Sequence, residues 1–510
     1  MPWVTPVTTV EAEFSGVGGG WTDITADVTD DPIAFEYGIR GYRPEDRCAS
    51  AGPIRFNMRN DANNSGAQLG YYSLFHASKR SGWAPGIRVR VKQTYGGATR
   101  YKLGRLAEAP AEPGQYEGRK VMVVAMDYMD ELARANVPTA LQQNKRSDEV
   151  FSAILANMST QPGATSIATG KSTFVQCLDN VGAETKGLTQ YADLSRSELG
   201  QIFCKRDATI GETLTFESRH TRVAIATTLV TLDNTMHALG LPGRRSDILN
   251  RFRVTTHPRL TSGYTSITVA QIDAAFQSAI APGETYAFFL DYTLPADRST
   301  KIGATNQVAP VATTDYTMNA NADGSGADLT ANFTVTPTYF GAAVKLTVTN
   351  GGATAGYIRT MKVRGDGILA LNPVVSEEKN SASMTTYGDN PAEIDMVMQG
   401  DPYIGSGAAA YFSTLYANPL ANVTFVKFCA NQSDALMTAA ITGEISSRVA
   451  LVESVNGLLS TQLYYINGIA IEIEEFEKME VTWWLTPADA SSYWILDTSE
   501  LDISTRLAFI

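Results

Sequence analysis

The sequence predicts a mainly β protein with an α+β insert. We expect two β-barrel-like domains, one at each end, with an α+β module and an immunoglobulin-like β-sandwich insertion between them. Three observations carry this. At 510 residues the chain is too long for one core. Its 42 Gly, 21 Pro and 22 Tyr, with frequent Thr, favour many strands joined by tight turns. Apolar residues alternate with polar ones in run after run, the period of half-buried strands. The expected limits are 1–130 for the first barrel, 131–255 for the α+β module, 256–367 for the sandwich, and 368–510 for the second barrel with one helix.

In the first segment, "FEYGI" and "PIRFNMRN" are short strands. Ile87, Val89 and Val91 alternate with Arg88, Arg90 and Lys92, and Gly96-Gly97 supplies the positive φ angles of a hairpin turn. "RKVMVVAMD", Arg119 to Asp127, reads as a strand buried on both faces. The next segment opens with a short helix, "YMDELARANV". It continues with a helix in "SDEVFSAILANM", where Ser147 is the expected N-cap and Val150, Phe151, Ile154 and Leu155 sit at helical spacing. "LSRSELGQIFCKRDATIGETLTFESRH" reads as a helix entering a hairpin, and "SDILNRFRVTTHPR" leads out in strand form.

From Leu260 to about Gly365 the strands "TYAFFLDYTL", "LTANFTVTPTYF" and "AAVKLTVTN" lie between turn signals, as in a sandwich. In the last segment "GSGAAAYFSTLYANP" is the one expected helix, stopped by Asn418-Pro419. "NVTFVKFCA", "LLSTQLYYINGIAIEIEE" and "MEVTWWLTP" are strands. The chain closes on Leu507, Ala508, Phe509 and Ile510, consecutive apolar residues read as a paired closing strand, buried on both faces or on one face with a subunit contact on the other.

Charge and composition exclude several functions. A net charge of −12 argues against wrapping nucleic acid through its phosphates. No apolar run approaches the ~20 residues that span a bilayer, so no stable membrane insertion is expected. "MPWVTPVTTVEAEF" lacks the basic start and apolar core of a signal peptide, so synthesis in a cytoplasm without export by that route is expected. Cys48, Cys177, Cys204 and Cys429 are scattered without a CxxC pair, so free thiols are expected rather than a zinc site or disulfide framework. His76, His220, His237 and His257 are equally scattered. No HExxH, GxSxG or phosphate-loop pattern occurs. No catalytic, cofactor-binding or metal residue is therefore assigned, and no enzyme is expected.

Four stretches invite a function and have a plainer reading beside it. Arg364-Gly365-Asp366 is an integrin-like tripeptide, read as a strand-to-turn junction. Asp315, Asn319, Asn321, Asp323 and Asp328 have oxygens that suit calcium, but their spacing departs from the EF-hand and they equally make turns. Glu472 and Glu474 alternate with Ile471 and Ile473: an acidic channel wall, or ordinary strand alternation with Glu outward. Trp483, Trp484 and Trp494 could stack on sugars or belong to a core.

Several of these runs, in order, resemble the minor tail or tail-tip (baseplate) hub proteins of long-tailed bacteriophages. "GGGWTDITADV", "GPIRFNMRNDAN" and "APGIRVRVKQTYGG" are similar to that family's Trp-Thr-Asp-Val opening, Asn-Arg strand, and Pro-Gly-x-x-Val-x-Val strand before a Gly-rich turn. "SRSELGQIFCKRDATIGETLTFESRH" resembles its Ser-Glu-Leu-Gly helix and following strand, with several extra residues in the hairpin turn. "TTDYTMNANADGSGADLTANFTV" and "KLTVTNGGATAGYIRTMKVRGDGI" look like its inserted sandwich, and "STRLAF" like its closing strand. The resemblance covers nearly the full length, and its specificity lies in the collinear order. It implies a structural virion protein of the tail tip, made in the host cytoplasm: an oligomeric hub, trimer favoured, that lines the DNA exit channel. The implied partners are other tail proteins (tube, distal tail, fibre or spike components), with DNA only passing through. The alternatives are a carbohydrate-binding tail adhesin that reads the host surface through its sandwich, and a tail-associated cell-wall hydrolase.

Overall fold

The computed structural model describes residues 3–112, 119–178, 185–225, 227–241, 248–261, 263–416, 423–453 and 458–488, together with the backbone of 492–493 and 505–506. Strands dominate it, with short helices between them. Val7–Glu13 pairs antiparallel with Arg88–Tyr95, so that Val10 faces Val91. Arg88–Tyr95 turns into Ala98–Glu108 through Gly96 and Gly97, both at positive φ (56° and 83°), where residues with a Cβ are disfavoured. The ladder continues through Lys120–Met126 and Pro53–Arg59 to Ile33–Gly38.

There it passes to the far end of the chain. Ile33–Gly38 pairs with Leu458–Glu474, placing Phe35 opposite Ile471 and Ile33 opposite Ile473. Lys478–Pro487, Phe425–Cys429 and Met236–Gly240 follow, and Thr228–Leu232 joins through Arg448–Glu453. The result is one 13-stranded sheet, and no ladder among the described residues closes it into a barrel. The mainly β class thus holds, while the two terminal segments share a sheet. Alternation explains the union. Phe35 and Tyr37 on one strand and Ile469, Ile471 and Ile473 on the other are all buried, and pairing these strands also covers edges that each segment alone would expose. Gly38 makes the join possible: it sits at φ +91°, and a side chain there would bring its Cβ to 2.8 Å from the Asn467 carbonyl oxygen.

Three local expectations are corrected. Lys120–Met126 is not buried on both faces: Val121, Val123 and Ala125 are buried while Met122 is exposed, because only one side of the strand meets the core. Helix Ser147–Ala156 is capped at Arg146, whose backbone N–H donates to Glu149 Oε2 (2.9 Å), while Ser147 Oγ donates to buried Glu198 (2.9 Å). The described residues after 368 hold three α-helices, Ser381–Tyr387, Pro402–Tyr416 and Asp434–Thr442, where the sequence reading placed one. The last is rich in Ala and capped by Ser433, whose Oγ accepts from Leu436 N (3.2 Å).

Helices Tyr128–Arg134, Ser147–Ala156 and Gly187–Glu198 pack with the hairpin Gln201–Lys205/Thr213–Glu217. One hydrophobic cluster runs from Val10 and Phe56 through Phe151 and Phe216 to Ile469 and Trp483. A second is confined to Val269–Val363, between a five-stranded sheet around Tyr357–Ala370 and a three-stranded sheet centred on Ala343–Asn350. Its two connections are neighbours, since Arg259–Leu260 pairs with Leu369 and Ala370. A third cluster lies under Pro402–Tyr416, on a small sheet centred on Arg251–Thr256. Among the described residues no helix is long and apolar enough to cross a membrane. The closing residues Leu507–Ile510, the Asn418-Pro419 stop and Trp494 lie outside the described residues. The backbone of Thr505–Arg506 pairs in parallel with Ser492–Tyr493.

Candidate functional surfaces

The solvent side of the shared sheet carries the acidic strand. Ile471 and Ile473 point into the core and Glu472 outward, so plain alternation accounts for the pattern. Glu472 stands in register with Glu480 on one neighbouring strand and Ala34 on the other. Glu480 accepts ion pairs from Lys427 (2.6 Å) and Lys478 (3.2 Å), and Lys478 also reaches Glu474 (3.1 Å). Burial pushes the Glu480 carboxyl up, but the two lysines outweigh it and hold the group below its ordinary value. Glu36, Arg55, Lys427, Glu472, Glu480 and Thr482 are the polar lining of a shallow depression of about 130 Å³ there. This face mixes charges; it is not a purely acidic wall.

Beneath it, buried charges lock the segments together. Lys102 Nζ and Asp127 Oδ2 pair at 2.9 Å with both side chains excluded from solvent. Asp127 also accepts from Gly52 N (2.9 Å) and caps helix Tyr128–Arg134. Arg105 grips Glu212 with two bonds of 2.5 and 3.0 Å. Arg206, from the module, donates to Glu444 (2.8 Å), to Gln93 (3.2 Å) and to the carbonyls of Ala440, Ile441 and Gly443. Tyr37 donates to the same Glu444 (3.0 Å), so one carboxylate ties both ends of the chain to the module. The turn of the hairpin Gln201–Lys205/Thr213–Glu217 is ordered by Asp207, whose carboxylate accepts from the N–H groups of Thr209, Ile210, Gly211 and Glu212. That turn docks on the first segment through Tyr101 N to Asp207 O and Leu103 N to Gly211 O, each 2.9 Å.

The remaining sequence candidates fall as follows. Arg364 lies within strand Tyr357–Ala370, not at a turn, and forks onto Asp315 at 2.8 and 2.9 Å. Asp366 accepts from Ser266 N and Asn306 Nδ2. The tripeptide is thus engaged by its own sheet. Asp323 and Asp328 each accept from the N–H and hydroxyl two residues on (Ser325, Thr330), and Asn319 Oδ1 accepts from Asn321 and Gly326. No group of three or more His, Cys, Asp or Glu suited to a metal occurs among the described residues. Trp483 is buried edge-on to Phe428, while Trp484 is half-buried. All four cysteines are free. Sequence reading missed the buried charge posts entirely. Their partners lie 25 residues apart for Lys102–Asp127 and 238 for Arg206–Glu444, so no local pattern announces them.

No family model matches the sequence, and no curated protein matches it. Solved structures do. The 43 kDa tail protein of prophage MuSo2 from Shewanella oneidensis is 10% identical, with 95% of this chain and 99% of that one covered at a TM-score of 0.49. A tail protein from Neisseria meningitidis MC58 is 8% identical, covering 95% and 97% at a TM-score of 0.49. Prophage tail protein gp18 from Listeria monocytogenes EGD-e is 8% identical, covering 94% of each chain at 0.41.

Proposed function

We propose that this chain is a structural virion protein of a phage tail tip, an oligomeric hub that links the tail tube to host-attachment parts and lines the DNA exit channel. The observation that carries the reading is collinearity. The runs that resemble the tail-hub family occur in that family's order, and those of the first segment and the module fall on one frame locked by buried charges. A rigid frame suits a mechanical role. The outward face around Glu36, Glu472 and Glu480 is the surface we assign to the channel, where carboxylates that neutralise Arg40, Lys427 and Lys478 leave little positive charge to hold phosphate and let DNA slide. Three copies per ring is the favoured assembly, and residues 256–367 form the projecting insertion.

The test is imaging of the particle with an antibody against this chain, with mass measurement of the isolated complex. Label at the tail tip and a trimer mass are expected. Label elsewhere, or a monomer in the assembled particle, rejects the hub. A second reading, a sandwich that binds carbohydrate, is favoured by the exposed Tyr286 and Phe289 on strand Thr285–Asp291. Glycan-array binding by the full chain, lost in Tyr286→Ala and Phe289→Ala, would establish it.

A further inference from the structure

A cavity of about 90 Å³ opens where four stretches of chain meet, lined by Arg47 from the first segment, Glu217, Arg219 and Arg222 from the module, Phe412 from the long helix, and Tyr465 from the shared sheet. With Arg43, four arginines line the cavity against two carboxylates, Asp46 and Glu217, a cationic excess that is conspicuous in a chain of net charge −12. Their pairing differs from that of the other shielded arginines. Arg88–Glu13, Arg105–Glu212 and Arg206–Glu444 pair at 2.5, 2.5 and 2.8 Å. Around the cavity the corresponding distances are 3.6 Å for Arg219–Glu198 and 3.7 Å for Arg222–Glu217.

Both carboxylates serve other donors. Glu198 accepts from Ser147 Oγ, Lys171 N and Ser172 N, and Glu217 from Ser446 Oγ at 2.6 Å. Arg47 donates to the carbonyls of Pro44 and Leu199, each at 2.7 Å, and forms no ion pair among the described residues. The Arg219 side chain is only 5% exposed, yet its Nε has no hydrogen-bond partner among the described residues. Burial pulls the Arg222 guanidinium down to about 10, Glu217 offsets this only in part, and Arg47 adds to it. Arg222 donates to Ser446 Oγ (2.9 Å), Thr486 Oγ1 (3.1 Å) and Asn467 Oδ1 (3.0 Å), and Arg219 Nη1 to Ser172 Oγ (2.8 Å), all neutral partners that use part of each five-donor guanidinium. A shielded cation without a close counter-charge is costly, and the N–H groups that remain match the oxygens of a carboxylate or phosphate.

We propose that this cavity binds a small free oxyanion of phosphate size, held by Arg47, Arg219 and Arg222 and closing the junction of the four stretches. The volume suits it, being several times the ~10–15 Å³ that admits a single water. The proposal is independent of the tail-hub reading, because it needs only the folded chain.

The test uses the purified full chain and inorganic phosphate, with sodium chloride at matched ionic strength as the reference and sulfate as a second oxyanion. We expect saturable binding by calorimetry, and a melting midpoint raised by ~2–4 °C or more at saturating phosphate. Arg219→Gln and Arg47→Gln should each weaken binding at least tenfold. Arg298→Gln, on an exposed pair with Asp273 in the sandwich, should bind as the parent does. Should Arg219→Gln fail to fold, Arg47→Lys keeps the charge, removes the fork, and should still lose several-fold. Absence of any phosphate or sulfate effect beyond that of chloride overturns the proposal. So does binding that survives unchanged in the Arg47 variants.

Discussion

The frame and the sandwich are both β structures, yet they are held together differently. In the frame, contacts between distant segments rest on shielded charges, Arg105 on Glu212 and Arg206 on Glu444, and Lys102 on Asp127 is a third such post within the first segment. In the sandwich the core includes Val344, Leu346, Val348, Ile358, Met361 and Val363, and the ion pair Arg364–Asp315 has its arginine partly in solvent, while Lys301–Asp291 lies exposed. The difference teaches what each region must specify. Greasy strands pair in many registers, but a buried charge tolerates only the partner that neutralises it, so a frame joining both ends of a chain gains selectivity from ionic posts. A sandwich whose ends leave side by side needs only a core.

The comparison breaks most visibly at Lys102. Lys102→Met strands Asp127 in the interior and should cost ~3–5 kcal/mol, read as a lower urea midpoint of the frame. A loss under about 1 kcal/mol would mean that the post is not structural. In the sandwich, Leu346→Ala should cost ~2–5 kcal/mol, felt by that region alone. A single melting transition that falls as a whole would show the two cores to be coupled.

Acid sharpens the contrast with a smaller effect. Burial pushes the Asp315 carboxyl up, but the Arg364 fork and the Val311 N–H outweigh it, leaving a value below the ordinary one. Its contribution is therefore present above the unfolded-state value of ~3.9 and is lost as pH falls through the lower folded value. Asp315→Asn should flatten the acid side of the sandwich's stability profile. An unchanged profile would exclude this pair as its origin. Smallest of all, replacing residues 261–368 by a short Gly-Ser linker should shift the frame's stability by no more than ~0.5 kcal/mol. Insolubility of the excised protein would show that the insertion supports the frame.

The strands were legible because they obey local rules. Val89 and Val91 against Arg88 and Arg90, or Ile471 and Ile473 against Glu472, reveal a buried side by alternation alone. The turn at Gly96-Gly97 and the helix around Phe151 were legible for the same reason. Helix Asp434–Thr442 was not: it is only nine residues long, and its outward side is marked by no more than one polar residue per turn, Asp434, Thr438 and Thr442. Nor could the sequence disclose that Ile33–Gly38 pairs with Leu458–Glu474, since two compatible apolar faces do not say which of many edges they meet. The cavity arginines stayed hidden too: Arg47, Arg219 and Arg222 are unremarkable until folding brings them together.

The join between the two ends also sets a clock. Phe35 waits for Ile471, and at ~5–20 residues per second the ribosome needs roughly 20–90 s to supply it. During that interval the strand Ile33–Gly38 has one long edge with no native partner. Pairing at so great a sequence separation is slow even after release, because the loop must close before any contact rewards it. The early chain is therefore exposed to pairing with its own copies, and a holding factor or a low synthesis rate should raise the soluble yield. The same delay has a benefit: a truncated product, lacking the final strands, cannot complete the frame and so cannot enter an assembly as a defective subunit.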